Sequence, residues 1–321
     1  MIDKNSGKFS FSTQLGILLG LVGAGIVIGG IIIPIIIWVV MTGRPILSMA
    51  TDIFNPKYYQ AIMWIQVVST FFMFFLPAYF TAIICYRKPS KFLGFNTNFN
   101  YKQLLILLVI VFFTFPLSGV LAEFTKMIPL PNSWQVYFQT KEAERAAQEM
   151  ALIKINSFPR YLLSMIIIAL LPAVFEEVCF RGGLQNILIR WFKGPWIAII
   201  LTSIIFSAVH FSYYGFFVRA ALGVALGLVF YYSGSLWLSI LFHFLYNGVQ
   251  VTALYIETMS QQKHTKDIEE NFPLWMGVIA IVIIVIAFVK FRQLSLEQGE
   301  KFVYNEPEDP DDFHNWIARN S

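Results

Sequence analysis

Apolar residues are gathered into eight blocks along the chain, and breaks rich in charged residues, Pro, Gly or Asn separate them. A helix needs about 20 apolar residues to cross the hydrocarbon core of a bilayer. Most blocks reach that length, although the fifth and sixth are short. The pattern therefore predicts an all-α polytopic membrane protein with about eight transmembrane helices. The predicted spans are residues 15–41, 61–86, 103–122, 159–180, 196–212, 216–232, 236–256 and 273–291.

The composition agrees with this interpretation. Of the 321 residues, 57% are hydrophobic and 13% are charged, whereas about 25% of residues are charged in soluble domains. Such a chain cannot cover a surface that faces water. The first block, residues 15–41, is too long for the apolar region of a secretory signal peptide, and no clear small-residue cleavage site follows it. We therefore predict that it is a mature span.

The polar breaks divide the chain into five regions. The longest internal break carries an Ala- and Glu-rich stretch, residues 140–152, whose residues are good helix formers and predict a surface helix. The last region is acidic and interrupted by Pro, which predicts a disordered tail. The predicted regions are N-terminal transmembrane helices (1–122), a loop with the surface helix (123–158), a transmembrane core (159–256), a loop and the last transmembrane helix (257–292), and the tail (293–321).

Charge and cysteine content exclude several classes of protein. The formal net charge is +4, and the Lys and Arg residues are dispersed, so we expect no nucleic-acid partner. Cys85 and Cys179, the two cysteines, both lie inside apolar blocks and cannot build a disulfide framework. We expect the lipid bilayer to be the main environment of the chain. The sequence indicates no oligomeric state.

Basic residues in the loops bear on orientation. If the N-terminus is cytoplasmic, the short loops on that side hold more Lys and Arg than the short loops opposite, as the positive-inside rule requires. The long loop 123–160 adds five basic residues to the far side and removes the difference. We predict an integral protein of the cell membrane with both termini in the cytoplasm.

The fourth predicted span contains an unusual group of charges: Glu176, Glu177 and Arg181. A charged residue at the centre of a membrane helix costs about 2.5–3.5 kcal/mol, so each one needs a partner and a reason. Glu177 and Arg181 are four residues apart and share a helical face. We therefore predict an ion pair between them, which leaves Glu176 for a second role.

Two later spans add polar residues that converge with these carboxylates. His210 lies at the end of the fifth span, and His243 and Asn247 lie four apart on the seventh. A carboxylate, two imidazoles and an amide suit the activation of water and the stabilisation of an oxyanion. The structural alternative is that they are interhelical hydrogen-bonding groups. Ser207 and Ser212 lie near His210, but a serine in an apolar helix more often bonds to the backbone.

These residues form three motifs, Glu-Glu-x-x-x-Arg, Phe-x-x-x-His and His-x-x-x-Asn, between residues 160 and 250. In this order on apolar helices they resemble the signature of the CPBP family, the CAAX protease and bacteriocin-processing (Abi) intramembrane endopeptidases, which include the type II CAAX prenyl endopeptidases. The resemblance implies an active site inside a helical bundle that cleaves a membrane-associated protein or peptide. It implies that Glu176 and His210 activate water, that His243 and Asn247 stabilise the tetrahedral intermediate, and that Glu177 and Arg181 support the site.

The resemblance leaves the cofactor open. Family members are commonly labelled metalloproteases, and a metal-free glutamate mechanism is also argued for them. If Zn²⁺ is bound, the available ligands are Glu176, His210 and His243, which suits three protein ligands and a water. The soluble zincin motif His-Glu-x-x-His is absent from the sequence.

Two other functions compete with proteolysis. Buried Glu, His and Arg also build proton relays and substrate paths in transporters and channels. A transporter is expected to have helix breaks at corresponding positions of two halves, and Gly29-Gly30 and Gly182-Gly183 do not form such a pair. A catalytically silent immunity or scaffold protein is the third hypothesis, although all six motif residues are present.

Overall fold

The computed structural model describes residues 9–53, 55–97, 99–152, 157–260 and 272–303, which form helices and connecting segments without a strand. Nine helices in these ranges have fourteen or more residues. They are α1 (Phe11–Thr42), α2 (Tyr59–Cys85), α3 (Tyr101–Met127), α4 (Asn132–Leu152), α5 (Phe158–Phe192), α6 (Pro195–Ala208), α7 (Phe216–Ser233), α8 (Leu236–Ser260) and α9 (Leu274–Val303).

Six of the helices in the described ranges are long and apolar enough to cross a membrane: α1, α2, α3, α5, α7 and α9. The predicted helical membrane protein is confirmed. The predicted number of eight spans is not, because α6 has only 14 residues and α8 does not meet the same test of apolar character. Helix α8 carries Ser239, His243 and Asn247 along its length, and these polar residues lower its apolar content.

Several element boundaries differ from the sequence prediction. Helix α5 continues to Phe192 instead of ending at residue 180, and α4 begins at Asn132, well before residue 140. Helix α9 runs to Val303, beyond the predicted start of the tail at residue 293, because Leu294 and Ser295 are buried against the bundle. The rest of the predicted tail, 304–321, lies outside the described residues, as does most of the loop before α9.

Wide π-helical turns interrupt three of the helices. Three of these turns end two residues before a proline: Ile28–Ile32 precedes Pro34, Phe71–Phe75 precedes Pro77, and Met165–Leu170 precedes Pro172. A proline ring clashes with the carbonyl group four residues earlier, and a wider turn relieves that clash. The fourth, Val178–Gln185, contains no proline and lies in α5 directly after the two glutamates.

Two groups of buried apolar side chains hold the bundle together. One joins α1, α2, α5 and α6 with Phe230 of α7, and the other joins α3, α7 and α9. Helix α8 contributes to both, with Leu236 and Ile240 in the first group and Leu238 and Phe242 in the second. Its polar face therefore lies between the two groups, deep inside the bundle.

The surface helix α4 lies beside the turn between α6 and α7. The rings of Phe138 and Tyr213 are stacked with their centroids 4.6 Å apart. Ser212 donates a hydrogen bond from Oγ to Glu142 Oε2 at 3.0 Å. These two contacts fix α4 against the turn that carries His210.

Candidate active site

Glu177 and Arg181 form the predicted ion pair on α5. Arg181 Nη1 donates to Glu177 Oε1 at 2.9 Å, and both side chains are fully buried. The four-residue spacing brings the two groups together on one helical face, as the sequence analysis expected. The charge of Glu177 is therefore compensated inside its own helix.

The Glu177 carboxylate also joins α5 to α8. Ser239 donates from Oγ to Glu177 Oε2 at 2.5 Å, and the Nδ1 atom of His243 lies 3.0 Å from Glu177 Oε1. Arg181 extends the network to α7 by donating from Nη2 to the carbonyl oxygen of Gly223 at 3.1 Å. One buried carboxylate and its arginine thus connect three helices.

Phe206 packs at the centre of this arrangement. The Arg181 guanidinium lies 4.6 Å from the centroid of the Phe206 ring, which is the range of a cation–π contact. The same ring is 5.0 Å from the His210 ring and 5.9 Å from the His243 ring. The phenylalanine of the Phe-x-x-x-His motif therefore supports both histidines from one side.

His210 lies in a turn, and its predicted place at the end of a helical span is wrong. Helix α6 ends at Ala208, and Phe211 adopts a left-handed conformation with a φ of 50°. The Nδ1 atom of His210 is 2.7 Å from the carbonyl oxygen of Phe206. Ser207 donates to the carbonyl oxygen of Phe216 at 2.6 Å. These hydrogen bonds from side chains to the backbone end α6 earlier than the apolar run of the sequence ends.

The hydrogen-bond partners define which nitrogen of each histidine carries a proton. A carbonyl oxygen and a carboxylate only accept, so Nδ1 donates in both His210 and His243. In the neutral rings Nε2 then carries a lone pair. Both Nε2 atoms face Glu176 Oε2, at 4.0 Å from His210 and 3.9 Å from His243.

Glu176 is nearly buried, with 8% of its surface exposed. Its distances to the two Nε2 atoms exceed the usual hydrogen-bond range of about 2.7–3.2 Å. A water molecule can lie between Glu176 Oε2 and an Nε2 atom at this spacing, within about 2.8 Å of both atoms. Glu176 and either imidazole ring can therefore share a water molecule.

The same three groups fit a zinc ion less well. Tetrahedral coordination with bonds of about 2.0–2.2 Å places ligand atoms about 3.4 Å apart, closer than the 3.9 and 4.0 Å found here. Within the described residues, no three His, Cys, Asp or Glu side chains form a group that could hold a metal ion. In this arrangement the predicted ligands do not form a zinc site, and the chemistry below includes no metal step.

Asn247 is half-buried on α8, one turn after His243. No hydrogen bond or ion pair joins its side chain to the other five motif residues in the described part of the chain. Its predicted role in stabilising the intermediate stays a prediction.

The two serines near His210 bond to other groups. Ser207 donates to a backbone carbonyl oxygen, as expected for a serine in an apolar helix, and Ser212 donates to Glu142. Neither hydroxyl is positioned as a nucleophile activated by His210.

The structure adds two contributors that the sequence analysis did not include. Ser239 is one turn before His243, and that spacing on one face of α8 was a usable signal. Gly223 contributes only its backbone carbonyl oxygen, and a Cβ at this position would lie 2.9 Å from the Cβ of Ser203. No polar pattern marks such a residue in the sequence.

These features define a helical integral membrane protein with a buried Glu/His site. Residues 158–249 match the family described as Type II CAAX prenyl endopeptidase Rce1-like. The matched segment runs from the start of α5 into α8 and contains all six motif residues.

One curated relative is the Uncharacterized protein YpbD of Bacillus subtilis (strain 168). It is 32% identical over 111 residues, which cover 33% of this chain and 54% of that protein. The chain thus spans about half the length of the relative. No solved structure matches the chain.

Proposed function

We propose that this protein is an intramembrane endopeptidase that hydrolyses a peptide bond of a membrane-associated protein or peptide. The observation that carries the proposal is the arrangement of Glu176 and the Nε2 atoms of His210 and His243 around a space suited to one water. This arrangement lies inside the segment that matches a protease family.

In the proposed reaction Glu176 is the general base. It takes one proton from the water, and the resulting hydroxide adds to the carbonyl carbon of the substrate. The C–N bond then breaks, and Glu176 returns the proton to the leaving nitrogen. The second O–H group of the water donates to the Nε2 lone pair of one imidazole, His210 or His243, and this contact orients the water for attack.

Glu177 and Arg181 act as positioning residues in this proposal. Glu177 binds the Nδ1–H group of His243, which fixes the ring so that Nε2 faces Glu176. Arg181 keeps Glu177 charged and buried. Neither needs to contact the substrate.

The name of the matching family supplies a substrate class to test: peptides with a prenylated cysteine near the C-terminus. We propose the wider class of lipid-embedded peptides, because the site lies within the apolar bundle. His210 has about a quarter of its side chain exposed, against 5% for His243. We therefore propose that the peptide enters beside the turn that carries His210.

The test compares cleavage of a quenched-fluorescence peptide by the protein in liposomes. One form of the peptide carries a farnesylated cysteine, and the other form carries no lipid. We expect wild-type protein to cleave the lipid-embedded form, and Glu176→Gln to lose about 10²–10⁴-fold in rate, the usual contribution of a general base.

Glu123→Gln is the matched control, since Glu123 is paired with Lys126 at an exposed position of α3. It removes the same charge and should leave the rate unchanged. Equal thermal unfolding curves for the three proteins will show that the bundle is intact. Full activity of Glu176→Gln would refute the proposed mechanism.

A further inference from the structure

Arg219 on α7 belongs to none of the three motifs, yet the packing of α7 directs it toward the site. Arg181 donates to the carbonyl oxygen of Gly223, and Gln185 donates to that of Gly227. The contacts advance by four residues on both helices, so α5 and α7 run side by side in the same direction. One turn earlier, the same alignment sets position 219 of α7 level with Glu177 of α5.

Two observations locate the Arg219 guanidinium more closely. Arg219 has an electrostatic interaction with Glu176. Its Nη1 atom also lies against the turn that follows His210, because a Cβ at Gly215 would be 1.9 Å from it. The guanidinium thus lies against the turn that follows His210, within electrostatic range of the carboxylate of the proposed base.

The two histidines use their N–H groups for other hydrogen bonds, so a cation near them can serve to stabilise the oxyanion. A hydrolysis through a tetrahedral intermediate needs donors directed at the oxygen that becomes negative. In neutral His243 the single N–H group binds Glu177, and in neutral His210 it binds Phe206. In these neutral forms neither ring has a second proton to donate, which leaves the amide of Asn247 and a cation near Glu176 as donors to the oxyanion.

Arg181 cannot take this role either. It is fully buried, and its two Nη atoms bind Glu177 and Gly223. Arg219 is half-buried as a residue, although its Nη1 atom is buried, and a guanidinium presents five N–H donors in a planar fork. The remaining donors of Arg219 are therefore more accessible to a substrate than those of the fully buried Arg181.

We propose that Arg219 is a further catalytic residue, whose guanidinium donates to the carbonyl oxygen of the scissile peptide bond and stabilises the oxyanion. This inference rests on the proposed endopeptidase function. Because the contact strengthens as negative charge develops on the oxygen, it acts on kcat more than on KM.

The experiment measures kcat and KM for Arg219→Gln with the cleaved peptide in liposomes. We expect kcat to fall about 10²–10³-fold, the cost of removing one oxyanion donor, with KM changed by less than about threefold. Arg160→Gln, near the start of α5, is the control, since its guanidinium lies over the Tyr59 ring. Its kcat should equal that of the wild type.

Chemical rescue separates a catalytic role from a structural one. Adding guanidinium or methylguanidinium at millimolar concentration to Arg219→Ala should restore part of kcat, and the same addition to Glu176→Gln should restore nothing. If Arg219→Gln and Arg219→Ala unfold at lower temperature than wild type, the kinetic constants of Arg219→Lys decide between a catalytic and a structural role. A lower kcat with unchanged KM in that variant supports the proposal.

The possible failures are distinguishable. A wild-type protein that cleaves neither peptide would refute the endopeptidase function and this inference with it. A wild type that cleaves, beside an Arg219→Gln or Arg219→Lys variant with unchanged kcat, would overturn only the role of Arg219. A change confined to KM, or rescue absent from a folded Arg219→Ala, would also overturn it.

Discussion

Replacing Arg181 by Met tests how the buried network is stabilised. Met has a similar reach and no charge, so the variant leaves Glu177 charged inside the bundle. Arg181 has no exposed surface, makes hydrogen bonds to Glu177 and Gly223, and packs on Phe206. Removing one partner of a buried ion pair costs about 3–5 kcal/mol. We expect Arg181→Met to lower the free energy of unfolding by that amount.

A double variant separates charge from packing. Glu177→Gln combined with Arg181→Met removes both charges and keeps a side-chain carbonyl that can accept from Ser239 or His243. Because no buried charge is left without its partner, we expect the double variant to recover part of the lost stability. Replacing a complete buried pair by uncharged groups is often close to neutral.

The measurement is reversible unfolding of the purified protein in mixed detergent micelles, followed by circular dichroism. Arg160→Met is the control, because the Arg160 side chain is half-buried near the start of α5 and lies over the Tyr59 ring; its loss should cost less than about 1 kcal/mol. If Arg181→Met is as stable as wild type, or the double variant is less stable than the single one, the compensation of Glu177 by Arg181 is not what stabilises the site.

Two further predictions concern Ser239 and the metal. Ser239→Ala removes the hydrogen bond to the buried Glu177 carboxylate and should cost about 1.5–3 kcal/mol of unfolding free energy. The control, Ser260→Ala at the exposed end of α8, should cost almost nothing. Equal losses in the two variants would contradict a special role for Ser239. Treatment with 1,10-phenanthroline should leave the cleavage rate in liposomes unchanged, because the spacing around Glu176 does not match zinc coordination; inactivation that added Zn²⁺ reverses would refute the metal-free mechanism.

The sequence predicts the helices and the first ion pair because both depend on local spacing. Apolar blocks identify the helices that cross the bundle, and the i to i+4 spacing of Glu177 and Arg181 determines that their side chains meet. The contacts that join α8 to the Glu177 carboxylate are not local. Ser239 and His243 reach Glu177 from more than 60 residues away, and no pattern in one sequence defines which carboxylate they contact.

The end of α6 shows a different limit. The apolar run continues to Phe211, so hydrophobicity alone extends the helix through His210. In the structure, side chains compete for the backbone groups, and the bonds from Ser207 and His210 end the helix at Ala208. The relation of Arg219 to the site was also hidden, because it depends on how α7 aligns with α5 and not on any motif.

The placement of Arg181 in the same helix as Glu177 also has a consequence for biogenesis. As α5 enters the lipid during synthesis, these two charges can already neutralise each other, before α7 and α8 have left the ribosome. Glu176 has no such partner in α5, since His210, Arg219 and His243 all come later in the chain. The insertion cost of about 2.5–3.5 kcal/mol for its charge therefore persists until the later helices associate, or Glu176 enters protonated. Assembly of α6, α7 and α8 around α5 is thus the step at which the proposed general base gains its partners from the later helices.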